Sequence, residues 1–252
     1  MERPVILIPA RWASSRFPGK PLALIDGVPL VVRVCDRASQ AFGADVTTVV
    51  TDDARIHETV LKAGFQSVLR DYNAATGTDR VAEAVKNIEG DIFINVQGDE
   101  PLVCPDDIRR IYDEKLSNPN AVINGYCEIT DLEALQSPST PKVVFDGNSR
   151  LLYMSRAVIP AHKSQTASIF SNRHFFRQVC IYAFNREDLE LFAETPRASV
   201  ELSEDIEILR FLMVGKPVLM VQCKPTDFAV DNPEDIFNVE RVIRQQVEHK
   251  DE

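Results

Sequence analysis

Short apolar runs alternate with amphipathic stretches through the first half of the chain. Residues 5–8, 46–50, 65–69 and 92–96 read as strands, each too short and too apolar for a surface helix. Between them the apolar spacing becomes helical. Pro29 suits a helix start, with Leu30, Val31, Val34 and Ala38 on one stripe. Asp52 or Asp53 is placed to cap a helix through Ile56, Val60 and Leu61, and the segment after Thr78 predicts a helix with Val81, Ala82 and Val85 inward. This alternation is that of βαβ units around a parallel sheet, in which ligands gather at the carboxyl ends of the strands. The loops after Ile8 and Val96 are therefore the first places to look for chemistry.

The second half has a different rhythm. Strands are expected at 121–128, 142–145, 151–154 and 179–184, with helices at 186–194 and 201–214, which points to a mixed sheet. The polar stretch 161–173 has few apolar anchors and reads as a surface loop or part of a partner contact. A chain of 252 residues fits one α/β domain.

Charge narrows the partners. The formal net charge is -10 and no run of Lys and Arg offers the footprint a nucleic-acid backbone requires, so nucleic acid is not expected. The apolar run at the N-terminus is cut short by Arg11, and no stretch approaches the roughly 18 apolar residues of a membrane span. A cytoplasmic protein without membrane insertion is expected. The cysteines at 35, 104, 127, 180 and 223 form no Cys-x-x-Cys pair and share no ligand spacing with the histidines, which argues for reduced thiols and against structural zinc.

Two segments carry candidate chemistry. The stretch 9–22 follows the first strand and brings Arg11, Arg16 and Lys20 into one loop with Ser14, Ser15, Gly19 and the rigidifying Pro18 and Pro21. Several cations in one cradle suit a triphosphate, the alternative being a solvated basic loop. It is not a Walker loop, because positions 14 and 21 hold Ser14 and Pro21 where glycine and a hydroxyl residue would stand. No two glycines lie two residues apart, so a dinucleotide fingerprint is absent as well. The second segment is Asn95, Val96, Gln97, Gly98, Asp99, Glu100 and Pro101, which places Asp99 where a metal ligand would meet phosphates, or else makes its two carboxylates a turn or the cap of a helix beginning near Pro105.

These two segments, with 51–53, 77–80, 142–145, 152–160, 181–184 and 230–235, match in order the signature stretches of the CMP-Kdo synthetases, and the chain resembles that family over nearly its whole length. The resemblance implies a GT-A-like α/β nucleotidyltransferase fold with a mixed central sheet and a smaller dimerisation lobe. It divides one cytidylyltransferase domain into a nucleotide-binding half, 1–128, a sugar-binding and dimerisation half, 129–230, and a C-terminal helix, 231–252. The implied reaction transfers CMP from CTP to the anomeric hydroxyl of a 2-keto-3-deoxy sugar acid, Kdo or a close relative, releasing pyrophosphate for bacterial surface polysaccharide or lipopolysaccharide synthesis. Two alternatives stand beside it: a cytidylyl- or uridylyltransferase acting on a phosphorylated acceptor, and a non-catalytic nucleotide-binding relative.

The resemblance also implies roles. Arg11, Lys20 and Asp99 are expected to serve catalysis. Arg11, Arg16 and Lys20 would hold the phosphates, Gln97 and the backbone near Ala10 would read the cytosine, and Asp99 and Asp231 would hold Mg²⁺. Arg80, Arg156, Gln178, Tyr182, Glu204 and Glu207 would line the sugar pocket, and the enzyme would be a homodimer. From the residues alone Asp231 also reads as a helix cap, and Glu204 and Glu207, at i,i+3 spacing, as a solvated helix face. The chain departs from the family where Lys-His-Ile-Gly is replaced by Arg177, Gln178, Val179 and Cys180, and Glu-Gln-Leu-Arg by Glu207, Ile208, Leu209 and Arg210. Gln178 and Ile208 thus stand where a histidine and a glutamine commonly face the sugar.

Overall fold

A computed structural model describes residues 2–14, 16–70, 74, 76–161, 170, 173–225 and 229–248. The expected first-half order is present as β1 (Pro4–Ala10), the small hairpin β2 (Leu24–Ile25) and β3 (Val28–Pro29), α1 (Leu30–Phe42), β4 (Thr47–Thr51), α2 (Ala54–Lys62), β5 (Gln66–Leu69), α3 (Gly77–Val85) and β6 (Ile92–Val96). There follow α4 (Pro105–Ser117), β7 (Val122–Ile129), α5 (Leu132–Gln136), β8 (Lys142–Phe145), β9 (Leu151–Ser155) and β10 (Phe175–Phe184). The chain continues through α6 (Arg186–Glu194), α7 (Ser199–Glu204), α8 (Leu209–Met213), β11 (Val218–Gln222) and α9 (Asp235–Glu248). The stretch 161–173 lies almost wholly outside the described residues.

One sheet runs through both halves in the order β11-β7-β10-β6-β1-β4-β5, with β8 and β9 added beside β10. The strands β6, β1, β4 and β5 are parallel, whereas β10 lies antiparallel to both β6 and β7, so the sheet is mixed as expected. Alternation along β1 divides the core. Ile6 and Ile8 pack with α1 and α4 residues such as Leu30, Val34 and Ile108, while Leu7 joins Val81, Phe93, Phe184, Leu189 and Phe211 on the other face. Each fully buried side chain of this size contributes roughly 1.5–3 kcal/mol.

Local signals set the helix ends. Asp53 caps α2 by accepting from the Arg55 and Ile56 N–H groups, and Thr76 with Asp79 forms a capping box on α3. Ile56 and Val60 are buried on the inner face of α2, while Leu61 is half exposed. The helix expected over 201–214 is broken into α7 and α8, with Asp205 between them in the left-handed region at φ 51°. The break has a visible cause. Glu201 is fully buried against Arg210, and the backbone must fold back to bring those two side chains together.

Candidate active site

The carboxyl ends of β1 and β6 meet at a close approach. A Cβ on Gly98 would lie 2.7 Å from the Pro9 carbonyl oxygen, so the loop after β6 can pass beside β1 only with glycine there. Two clefts open from this point, and both are lined by Asp99 and Asp231.

The first cleft, of 260 Å³, holds the loop after β1. The loop is closed by hydrogen bonds from Gly19 N–H to Trp12 O at 3.1 Å and from Lys20 N–H to Phe17 O at 3.1 Å. Gly19 is left-handed, at φ 73°, and an added Cβ would lie 2.7 Å from the Trp12 ring. The Arg55 guanidinium lies 3.3 Å from the centroid of the Trp12 ring and pairs with Asp53 at 2.6 Å. Trp12 thereby ties the cationic loop to the start of α2.

Lys20 sits at the centre, with its ammonium 2.8 Å from Asp99 Oδ2, 2.8 Å from the Val230 carbonyl oxygen and 3.7 Å from Asp231 Oδ1. Arg16 takes the same Asp231 oxygen at 2.8 Å. Val230 N–H donates to Asp99 O at 2.9 Å, which fastens the segment before α9 to the end of β6. Asp231 is therefore not a helix cap: Asp235 accepts the Asp231 and Asn232 N–H groups, leaving the Asp231 carboxylate to face Lys20 and Arg16.

Arg11, Arg16, Lys20, Ala10 and Gln97 all line this first cleft, and so do Arg80 and Glu207. Arg80 is buried and paired with Asp52 at 2.8 Å. Glu207 accepts from the Gly77 and Thr78 N–H groups at 3.0 and 2.8 Å, placing its carboxylate on the N-terminus of α3. Burial raises its pKa, against the lowering effect of those hydrogen bonds.

The second cleft measures 660 Å³ and is lined, beyond the shared aspartates, by Glu100, Glu133, Arg177, Gln178, Cys180 and Arg241 among others. Burial, reinforced by Asp99, pushes the Glu100 carboxyl up to about 8. Beneath it the Cys180 thiol and Tyr182 hydroxyl interact, and burial raises both well above their ordinary values.

The residues expected around the sugar are thus distributed. Gln178 lines the second cleft, Arg80 and Glu207 line the first, and Tyr182 is buried in the sheet. Glu204 and Arg156 line neither cleft. Glu204 accepts from Ser155 Oγ at 2.7 Å and from Arg156 N–H at 2.9 Å, while the Arg156 guanidinium donates to the Pro138 and Asp205 carbonyls at 2.8 and 2.9 Å. Burial alone would raise Glu204, but these hydrogen bonds outweigh it and hold the carboxyl below its usual value. Ile208, 2% exposed, belongs to the core beside Leu209 and Phe211 and lines neither cleft. Glu204 and Glu207 do not share a solvated helix face, because the break between α7 and α8 sends them to different partners.

The donor set suits a hard divalent cation. Asp99 and Asp231 converge on one ammonium, so their oxygens border one small volume, and Mg²⁺ characteristically takes one or two carboxylates and completes its shell with phosphates and water. Among the described residues no group of three or more His, Cys, Asp or Glu is arranged to hold a metal by itself.

The comparisons with known proteins identify the family. Residues 5–218 match the family model described as cytidylyltransferase. The chain belongs to the cytidylyltransferase family. It is 37% identical to the 3-deoxy-manno-octulosonate cytidylyltransferase of Chlamydia trachomatis, over 96% of this chain and 94% of that protein. It is 40% identical to the 8-amino-3,8-dideoxy-manno-octulosonate cytidylyltransferase of Shewanella pealeana, over 92% and 94%. The solved structure of a CMP:2-keto-3-deoxy-manno-octonic acid synthetase complexed with CTP superposes with a TM-score of 0.88 at 33% identity, covering 97% of this chain and 99% of that one. This cytidylyltransferase is a CTP-utilising enzyme with the nucleotidyltransferase fold.

Sequence reasoning gave Trp12 and Arg55 no role and read Asp52 only as a possible helix cap, whereas Asp53 is the cap and Asp52 pairs with Arg80; each of the three stands in or beside a matched stretch. The one available signal was a lone tryptophan inside a polar cationic loop, where an aromatic needs a partner.

Proposed function

We propose that this cytidylyltransferase joins CMP from CTP to the anomeric hydroxyl of a 2-keto-3-deoxy sugar acid, either 3-deoxy-manno-octulosonate or a close relative, and releases pyrophosphate. One observation carries the reading: the Asp99 and Asp231 carboxylates border both clefts, with cations gathered on one side and hydrogen-bonding groups on the other. CTP would lie in the first cleft, with its triphosphate against Arg11, Arg16 and Lys20 and its base near Ala10 and Gln97. The acceptor acid would lie in the second.

Asp99 and Asp231 would hold Mg²⁺, which supplies neutralisation of the triphosphate charge. The chain itself would do the rest by position. Lys20 would leave its carboxylates to meet phosphate oxygens whose negative charge grows as pyrophosphate departs, and Arg11 and Arg16 would orient the leaving group. A doubly charged phosphate suits the second cleft less well than the single carboxylate of a keto sugar acid, since Asp131, Glu133 and Asp235 there outnumber Arg177 and Arg241.

The reading includes a cytoplasmic site of action, where CTP is available, and a place in making bacterial surface polysaccharide or lipopolysaccharide. It includes a homodimer, for which the exposed Leu152 and Leu202 of the second half are apolar side chains available to be covered. The test is pyrophosphate release from CTP, Mg²⁺ and a panel of keto sugar acids and sugar phosphates. Turnover with sugar phosphates alone, or with none of the panel, would overturn it.

A further inference from the structure

The wall of the second cleft depends on an irregularity in β10. That strand pairs with β7 regularly down to Val179 opposite Gly125, and then resumes with Tyr182 opposite Asn124. Three steps along β10 therefore match one along β7, so Cys180 and Ile181 bulge away from β7. A bulge of this kind in a buried sheet strands backbone carbonyls, which must be paired.

Asn124 pairs them. Fully buried in β7, it donates from Nδ2 to the Val179 and Ile181 carbonyl oxygens, each at 3.0 Å, and its Oδ1 accepts from Gln178 Nε2 at 3.0 Å. The polarity of this chain of amides is determined by its first link. Only an NH₂ group can serve two carbonyls, so the Asn124 oxygen must face Gln178, and Gln178 must answer with its own nitrogen. The Gln178 oxygen is then the acceptor available to a ligand in the cleft that Gln178 lines. The neighbouring backbone is equally committed, since a Cβ on Gly125 would lie 2.9 Å from Cys223 Sγ and 3.1 Å from Val179 Cβ.

We propose that Asn124 is a positioning residue for acceptor recognition. It holds the β10 bulge in place and fixes the Gln178 carboxamide so that its oxygen meets a hydrogen-bond donor, a hydroxyl or an ammonium, on the acceptor. This rests on the acceptor lying in the second cleft. Asn124 touches neither substrate and acts through Gln178.

The test is a double-mutant cycle of Asn124→Ala and Gln178→Ala, with KM measured separately for CTP and for 3-deoxy-manno-octulosonate and its 8-amino-8-deoxy analogue. Asn124→Ala is expected to raise the acceptor KM about tenfold while the CTP KM stays within about twofold, and in the Gln178→Ala background to add less than about twofold. Asn124→Ser, whose hydroxyl can donate to one of the two carbonyls, should give an intermediate acceptor KM, and it replaces the alanine variant if that fails to fold. CTP binding by calorimetry reports folding independently. Parallel rises in both KM values, or effects that simply multiply, would overturn the proposal while leaving the functional reading intact. A wild-type enzyme inactive with every keto sugar acid would overturn both.

Discussion

The two clefts that meet at Asp99 and Asp231 are built on opposite principles. In the first, Arg11, Arg16, Lys20 and Arg80 face Asp99, Asp205, Glu207 and Asp231, so cations and carboxylates balance and nearly every charged head already has a partner close by. In the second, carboxylates outnumber arginines, and the wall carries an amide, Gln178, held by another amide. The difference shows how a protein of net charge -10 can bind a polyanion. On the proposed reading, a few cations are concentrated on one loop and stay paired until phosphates replace the carboxylates, while the rest of the surface stays acidic. Variants of the first cleft should therefore act on CTP and on chemistry, and variants of the second on the choice of acceptor.

The largest expected effect lies at the shared boundary. Asp99→Asn keeps the shape but withdraws charge from both the metal and Lys20, and kcat is expected to fall by about a thousandfold or more with the thermal transition little changed. Steady-state kinetics with a melting curve check it, and activity within tenfold of wild type would sink the metal assignment. Next comes Lys20→Met. Because its ammonium is proposed to meet charge that grows during reaction, kcat should drop about a hundredfold while the acceptor KM changes little. An unchanged kcat with a raised acceptor KM would place Lys20 in the wrong cleft.

A smaller effect tests how the loop is held. Arg55 contacts Trp12 and Asp53 and lines neither cleft, so Arg55→Ala should loosen the loop and raise the CTP KM by about threefold to tenfold without altering the acceptor KM. Equal shifts in both constants would show that the stacked arginine stabilises the domain generally and does not serve the first cleft.

How much of this was legible in the sequence follows the same division. The part of the first cleft expected to bind the nucleotide comes from two short stretches, 9–22 and 95–101, at the ends of two strands whose apolar runs are unmistakable, and every residue expected there lines it, whereas Arg80, Glu207 and Asp231 join it from elsewhere in the chain. The second is assembled from β10, α5 and the start of α9, and its geometry depends on a bulge that no local pattern announces. Arg177 and Gln178 interrupt the apolar run of β10, so the strand was expected to begin at 179 although it begins at Phe175. The charged residues of 201–214 matched a helix, but burial of the Glu201 and Arg210 pair overrode that propensity and broke it. Asn124 carried no signal, because a single amide in an apolar strand reads as an irregularity until its three partners are seen.

The subtlest expected effect separates the two family departures that looked equivalent in the sequence. Gln178 lines the second cleft, whereas Ile208 is packed in the core, so restoring the usual residues at both should give unequal results. Gln178→His replaces one hydrogen-bonding group by another at the cleft wall. An imidazole can donate to the Asn124 oxygen from one nitrogen and present the other to the acceptor, but from a different position, and the ratio of kcat/KM between 3-deoxy-manno-octulosonate and its 8-amino analogue should shift by about threefold. Ile208→Gln instead places an amide among Leu209, Phe211 and their neighbours, where an unpaired polar group costs roughly 1–3 kcal/mol, so it should lower the melting temperature and leave that ratio unchanged. The two single variants and the pair, each measured with both acceptors, decide the matter: a change of preference that requires Ile208→Gln would mean that position 208 reaches the sugar after all.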